Sequence, residues 1–323
     1  MRRFAAIALL CAASGAATAA STDYYLGESV RQLGLRDAPR QAGDGRSSER
    51  YVARSGSTLY AEYNKEFILV DGVKIMLEDP IGYQRGHLTL SKLDYDKVFV
   101  PLFWEAPKAG LRRIALDPGH GGKDTGKING PYRYNEKAAT LDTAARLKIA
   151  LEKQGFEVVF TRTKDVFVEL DERPALAAAA KADLFISLHY NAGPAGDTSS
   201  GGIETYCLTP AGQRSTNAGK AKSTTAAEPG NRFDAPNVLL AWSIQRRLLA
   251  GTGAEDRGVR RARFAVLRPL ACPGVLIEGG FMSSRTEGAR IAEEAYRQKL
   301  AEAVAAGIVD FALRTLPPQK TGK

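Results

Sequence analysis

With 323 residues and a formal net charge of +9, the chain exceeds the roughly 100–200 residues of one domain, so two domains and a sizeable buried core are expected. Beyond the first residues, no window of the roughly 20 residues that a membrane helix needs is free of charge, so no membrane span is expected. There is no basic run interleaved with aromatic residues, which argues against nucleic acid as a partner.

The start of the chain has the pattern of a secretory signal peptide over residues 1–19. Met1, Arg2 and Arg3 precede the apolar run Phe4 to Ala13, and Ala17, Thr18 and Ala19 supply the small-residue cleavage site. The apolar run is too short to span a bilayer. Leu9 and Leu10 before Cys11 are larger than the small pair of a lipidation site, so lipidation is not expected. Loss of Arg2 and Arg3 takes the net charge from +9 to +7. A basic surface suits an acidic wall polymer or anionic lipid, and serves simple solubility equally well. Cys207 and Cys272 then remain, too few for a disulfide scaffold but enough for one bridge in an oxidising compartment.

Residues 20–50 read as a mature N-terminal segment that ends in the polar, Gly-rich linker QAGDGRSSER (41–50). Residues 51–105 change to short apolar stretches, STLYAEY, EFILVDGVKIML and KVFVPLF. Asp71 and Gly72 between Val70 and Val73 form a hairpin signal. The segment reads as a small β-rich or α+β accessory domain, with a short resemblance to the N-terminal domain of copper amine oxidases and of some exported wall enzymes. His87, isolated within it, reads as a structural or surface residue.

From residue 112 to 313 the rhythm alternates. Strands are expected at 112–116, 156–161, 184–189, 202–208, 264–267 and 275–278, and helices at 136–154, 170–181, 238–249 and 287–313. This alternation predicts an α/β fold with a largely parallel central sheet flanked by helices. In such sheets functional residues collect beyond the carboxyl ends of the strands.

His120 and His189, in IALDPGHGG and LFISLHYNAG, each follow directly on a predicted strand. Glu136 opens the helix after the first strand, and Glu278 ends the last strand in VLIEGGF. Two imidazoles and a carboxylate from separated elements form the ligand set of a catalytic zinc, which keeps its remaining position for water. Glu278 is then free to act as base, taking the water proton and returning it to a leaving nitrogen. Each residue has an ordinary reading too. His120 could be a turn residue and Glu136 a first-turn acid that complements the helix dipole. Glu278 in an apolar strand is costly without a role.

These residues lie in spaced motifs: ALDPGHGGKDTG, Glu136 sixteen residues after His120, DLFISLHYNAG, GGIETYCLTP and PGVLIEGGFMSS. In this order, over residues 112–313, the chain resembles the zinc-dependent N-acetylmuramoyl-L-alanine amidases of the third amidase family. The resemblance implies one Zn2+ per chain on His120, Glu136 and His189, and Glu278 as catalytic residue. It implies hydrolysis of the amide between N-acetylmuramic acid and L-alanine in peptidoglycan, by a monomer exported to the periplasm or cell envelope. The alternatives are an inactive wall-binding or regulatory homologue and a zinc peptidase acting within the stem peptide. No activating protein is identified by the sequence.

Phe281, Met282, Ser283 and Ser284 depart from the Ser-Asn that the family usually has after the Phe. The polar segment Pro210 to Asn237 is also unusual. Its two acids, Glu228 and Asp234, and weak apolar period suit a mobile loop beside the site, not the inserted helix that covers zinc in some relatives. Residues 314–323 read as a tail.

Gly121 to Lys127 matches a phosphate-binding loop until Ile128, which stands where a Ser or Thr would hold magnesium. Gly119, Gly121 and Gly122 are better explained as a tight turn close to the metal. No HExxH and no Gly-x-Ser-x-Gly is present. Asp117 and Asp124 read as loop-shaping acids or acids behind the ligands, with solvent-facing acids as the alternative. Glu204 is expected behind the site or on the surface. Arg257, Arg260, Arg261, Arg263 and Arg268 read as a solvated face, with contact to an acidic peptide stem or wall phosphates as the alternative.

Overall fold

A computed structural model describes residues 24–103, 110–217 and 226–315. The signal-peptide and tail readings, at residues 1–19 and 314–323, lie outside these residues except for 314–315.

Strand β1 (Tyr24–Tyr25), helix α1 (Leu26–Gln32) and β2 (Arg36–Asp37) lead into a meander of β3 (Ser48–Val52), β4 (Thr58–Glu62), β5 (Phe67–Val70) and β6 (Val73–Met76). Asp71 and Gly72, both with positive φ, make the β5–β6 turn, as the Asp-Gly signal predicts. Next come the β7 (Gly82–Gln84) and β8 (His87–Leu90) hairpin, α2 (Lys92–Asp94), a π-turn at Tyr95–Phe99 and α3 (Val100–Phe103).

The second part runs β9 (Arg113–Pro118), the short hairpin β10 (Ile128–Asn129) and β11 (Tyr134–Asn135), α4 (Glu136–Glu152), β12 (Glu157–Phe160), α5 (Glu172–Ala179), β13 (Leu184–Asn191) and β14 (Ile203–Leu208). It ends with α6 (Asp234–Thr252), β15 (Asp256–Ala262), β16 (Gly274–Phe281), α7 (Arg285–Ala292) and α8 (Glu294–Thr315).

Strands β12, β9, β13 and β16 are adjacent and parallel, β14 is antiparallel to β16, and β15 is parallel to β14. Helices α4, α6 and α8 cover one face of this sheet. On the other, Ala177 of α5 joins Val266, Leu267 and Leu270 over Phe185, Tyr206 and Leu276. With both faces covered, central strands such as Leu184–Leu188 are buried in succession instead of alternating.

The first segment extends this same sheet. Ile75 of β6 pairs with Val259 of β15 in parallel, and the order continues through β5, β4, β3 and β2 to eleven strands. Lys74 binds both the carboxylate and the carbonyl of Asp256, at 2.7 and 2.9 Å. Trp242 of α6 donates to Val70 O at 3.1 Å. Arg261 and Asp94, 3% and 1% exposed, form a buried ion pair at 3.3 Å across the seam.

Four expectations are corrected. The strand near 264–267 is a turn, and the strand lies at Asp256–Ala262. Its arginines hid it, because charged side chains resemble solvated surface until each finds a buried partner. Arg261 is therefore not on a solvated face, and Arg263 binds the carbonyls of Thr209, Pro210 and Gln213. The closing helix is two helices. Glu293 between them is extended, and Arg297 Nη1 caps the Ile291 carbonyl at 2.7 Å. Within the 210–237 segment, residues 210–217 are pinned to the first segment through Arg214–Glu78 and Gln213–Asp94, and residues 229–233 form a 3-10 turn before α6.

Cys207 and Cys272 are free, buried thiols, and no bridge joins them. Burial pushes both up to about 12, so the reactive thiolate is scarce near neutral pH. Native protein lacking residues 1–19 is expected at pH 8 to leave both thiols unmodified by iodoacetamide for hours, and the same protein denatured to take up two labels by intact-mass measurement. Fast native labelling would contradict the burial.

Candidate metal centre

His120, Glu136 and His189 converge at the carboxyl ends of β9 and β13. His120 Nε2 lies 2.9 Å from Glu136 Oε1, and His189 Nδ1 lies 3.2 Å from each of those atoms. Zinc bonds of about 2.0–2.1 Å in a tetrahedron require donors about 3.3–3.4 Å apart. The three donors thus stand close to three corners of such a site, and among the described residues this is the one cluster of metal-ligating side chains that converges so.

The surrounding chain holds each ligand in place. His120 has a left-handed backbone, φ 61°, a costly conformation for a non-glycine residue. Two arginines clamp it: Arg162 donates to the carbonyls of Pro118 and Gly119, and Arg173 to those of Pro118 and His120. Arg173 is itself set by Asp117, at 2.8 Å, which also accepts from Thr161 and Ser187. Asp117 is completely buried, so it shapes the loop and does not face solvent. Sequence reasoning passed over Arg162 and Arg173; a lone arginine in the Ala-rich run ERPALAAA was the available signal.

Asp124 accepts from His120 Nδ1 at 2.9 Å. With Nδ1 engaged in that bond, Nε2 is the nitrogen that faces Glu136 and His189, the arrangement in which a carboxylate orients a metal-binding imidazole. Burial disfavours the imidazolium, but the hydrogen bonds to Glu136 and Asp124 outweigh it and raise His120 above its ordinary value. For Glu136, burial favours the neutral acid, while bonds to His120 and His189 prevail and hold the carboxyl below its usual range. Its Oε2 accepts from the amide of Lys127, and Oε1 from that of Tyr190.

The glycine turn has a steric reason. A Cβ on Gly119 would lie 2.2 Å from the His189 ring, well inside van der Waals contact. Gly119→Ala is expected to displace His189 and to weaken zinc binding at least about tenfold, an effect comparable with disturbing a group that orients a ligand. Chelator competition measures it, and unchanged affinity would show that the ring has room to move. No helix follows Gly121–Lys127; β10 does, which removes the phosphate-loop reading.

Glu278 stands beside His189 in the β13–β16 register, and Glu204 faces it across β14. Its Oε2 is shielded and lacks a hydrogen-bond partner among the described residues. Burial, then the charges of Glu136 and Glu204, push its pKa well above the usual carboxylate value. Glu204 is buried behind it and accepts from Asn191, Tyr206, Arg257 and Arg260. His87 lies apart, in β8, edge-on to Tyr25.

Residues 114–310 match the family described as Amidase_3: N-acetylmuramoyl-L-alanine amidase. The chain is 35% identical over 198 residues to the N-acetylmuramoyl-L-alanine amidase LytC of Bacillus subtilis, a match covering 61% of this chain and 35% of LytC. It is 32% identical over 226 residues to the amidase AmiC of Escherichia coli, covering 62% of this chain and 54% of AmiC. The chain therefore spans between a third and about half of these two relatives. Among solved structures, an N-acetylmuramoyl-L-alanine amidase from Clostridium difficile 630 superposes with a TM-score of 0.52 at 30% identity, over 63% of this chain and 97% of that one. AmiC2 of Nostoc punctiforme gives 0.53 at 30%, over 64% and 99%. Fold, motif order and converging ligands agree, and the chain belongs to the Amidase_3 family of N-acetylmuramoyl-L-alanine amidases.

Proposed function

We propose that this protein is an exported, monomeric zinc amidase that hydrolyses the amide between N-acetylmuramic acid and L-alanine in peptidoglycan. The observation that carries this reading is a three-donor cluster with an unpartnered carboxylate beside it. His120, Glu136 and His189 would hold one zinc ion, with Asp124 fixing the His120 tautomer. Bound there, zinc polarises an amide carbonyl and lowers the pKa of water from about 15.7 toward 7.

Glu278 supplies the proton transfers. Its Oε2 accepts the proton of the attacking water and delivers it to the amide nitrogen as the C–N bond breaks. A carboxylate engaged by other donors would be a weaker acceptor, and Oε2 has none. Residues 112–313 carry this chemistry, and residues 51–105 form an accessory part. Export rests on the signal-peptide pattern of residues 1–19. No helix among the described residues is long and apolar enough to cross a membrane.

Purified protein supplied with zinc, incubated with peptidoglycan and analysed by mass spectrometry, should yield sugar strands free of peptide and intact stem peptides. Cleavage inside the stem would establish a peptidase instead. No release, together with less than one tightly bound zinc, would establish an inactive homologue.

A further inference from the structure

The row of ionisable groups at the strand ends continues past Glu278. One strand beyond Glu204, Arg257 and Arg260 of β15 both reach its Oε2, at 3.1 and 2.9 Å. Asn191 and Tyr206 occupy Oε1. Glu204 is 2% exposed, so its carboxylate is saturated and cannot turn to solvent. Two guanidinium groups thus share one carboxylate, and one positive charge within the trio is uncompensated.

Arg257 is the more open of the pair, with 33% of its side chain exposed. Its Cζ lies 4.8 Å from the centre of the Phe281 ring, a cation–π contact that restrains it. Nη1 donates to Gly201 O at 3.3 Å, and Nη2 has no hydrogen bond among the described residues. Nη2 is thus free to donate a charge-assisted hydrogen bond to a carboxylate.

We propose that Arg257 anchors a carboxylate of the substrate's peptide. This rests on the amidase reading and extends it from the cut bond to the group recognised beside it. Adjacent strands are about 4.8 Å apart, so β15 stands about 14 Å from β13, and the arginine reaches back over β14. Its head group meets Glu204 of β14, two strands from β13, which leaves at most about 10 Å between the cut amide and the anion. A peptide spans about 3.3–3.6 Å per residue, so the carboxylate belongs to the second or third residue after the cut bond.

The test compares two muropeptides that differ only at that group, one with the free carboxylate and one with the carboxamide. Wild type should prefer the carboxylate about 10- to 100-fold in kcat/KM, the preference lying in KM, as for a charged hydrogen-bonded contact. Arg257→Gln should lower the acidic substrate more than the amide and so abolish the preference, and Arg257→Lys should restore part of it. Equal handling of both substrates by wild type would overturn the proposal. So would an equal loss on both in Arg257→Gln, since that marks support of Glu204 and not recognition. Calorimetric titration of zinc-loaded Glu278→Gln protein with the two muropeptides repeats the comparison without turnover. Failure of wild type to cleave either one therefore counts against the amidase reading, while the binding preference still decides the anchor.

Discussion

Glu278→Gln is expected to lower kcat on peptidoglycan by about 10²- to 10⁴-fold, the usual contribution of a positioned acid or base, while zinc binding is retained. The separation follows from geometry. Glu278 is not among the three converging donors, yet it lies beside His189 in the strand register. The same change should stabilise the fold. An unpartnered, shielded carboxylate next to Glu136 and Glu204 is unfavourable, and the neutral amide removes that repulsion. For a gain of about 1–2 kcal/mol, the melting temperature of the metal-free protein should rise by about 2–8 °C. Stem-peptide release by mass spectrometry and thermal melts check both halves. Wild-type turnover by the variant would remove Glu278 from the mechanism.

Removal of residues 1–110 is expected to leave a catalytic segment that melts more than about 10 °C lower than the full chain or does not fold. The solved relatives match this chain over 63–64% of its length and are themselves almost fully covered, so a catalytic part of this size is complete in them. Here β15 has β6 on its outer edge, and Trp242 and Arg261 have their partners Val70 and Asp94 in the first segment. Truncation uncovers a strand edge and takes the carboxylate partner from Arg261. Breaking one partner from a buried ion pair alone costs about 3–5 kcal/mol. Arg261→Ala in the full chain isolates that contribution, with Asp94 now the stranded charge. A cooperative melt at an unchanged temperature after truncation would show that the two segments are energetically independent.

The site was legible in the sequence because its groups sit at strand ends, where a short apolar run followed by Gly, His or Glu marks both the strand and its terminus. LDPGHGG, FISLHYN and LIEGGF each carry this mark, and the structure brings His120, His189 and Glu136 together, with Glu278 beside His189 in the strand register. The α/β alternation was legible for the same reason: strands covered on both faces are apolar throughout.

Other features depend on partners distant in the chain. DRGVRRA reads as solvent-facing charge until Asp94, Glu204 and the 209–213 carbonyls are placed beside it, and then it is a buried strand. Arg162 and Arg173 brace the His120 turn from elements 42 and 53 residues away. The sequence by itself placed His120, Glu136, His189 and Glu278 at strand and helix ends of an α/β layer fold, because these positions follow from local residue chemistry and hydrophobic period. Only the tertiary structure decided that the first segment extends the catalytic sheet and that the arginines beside the site are paired, because strand pairing and burial of charge depend on which distant residues meet.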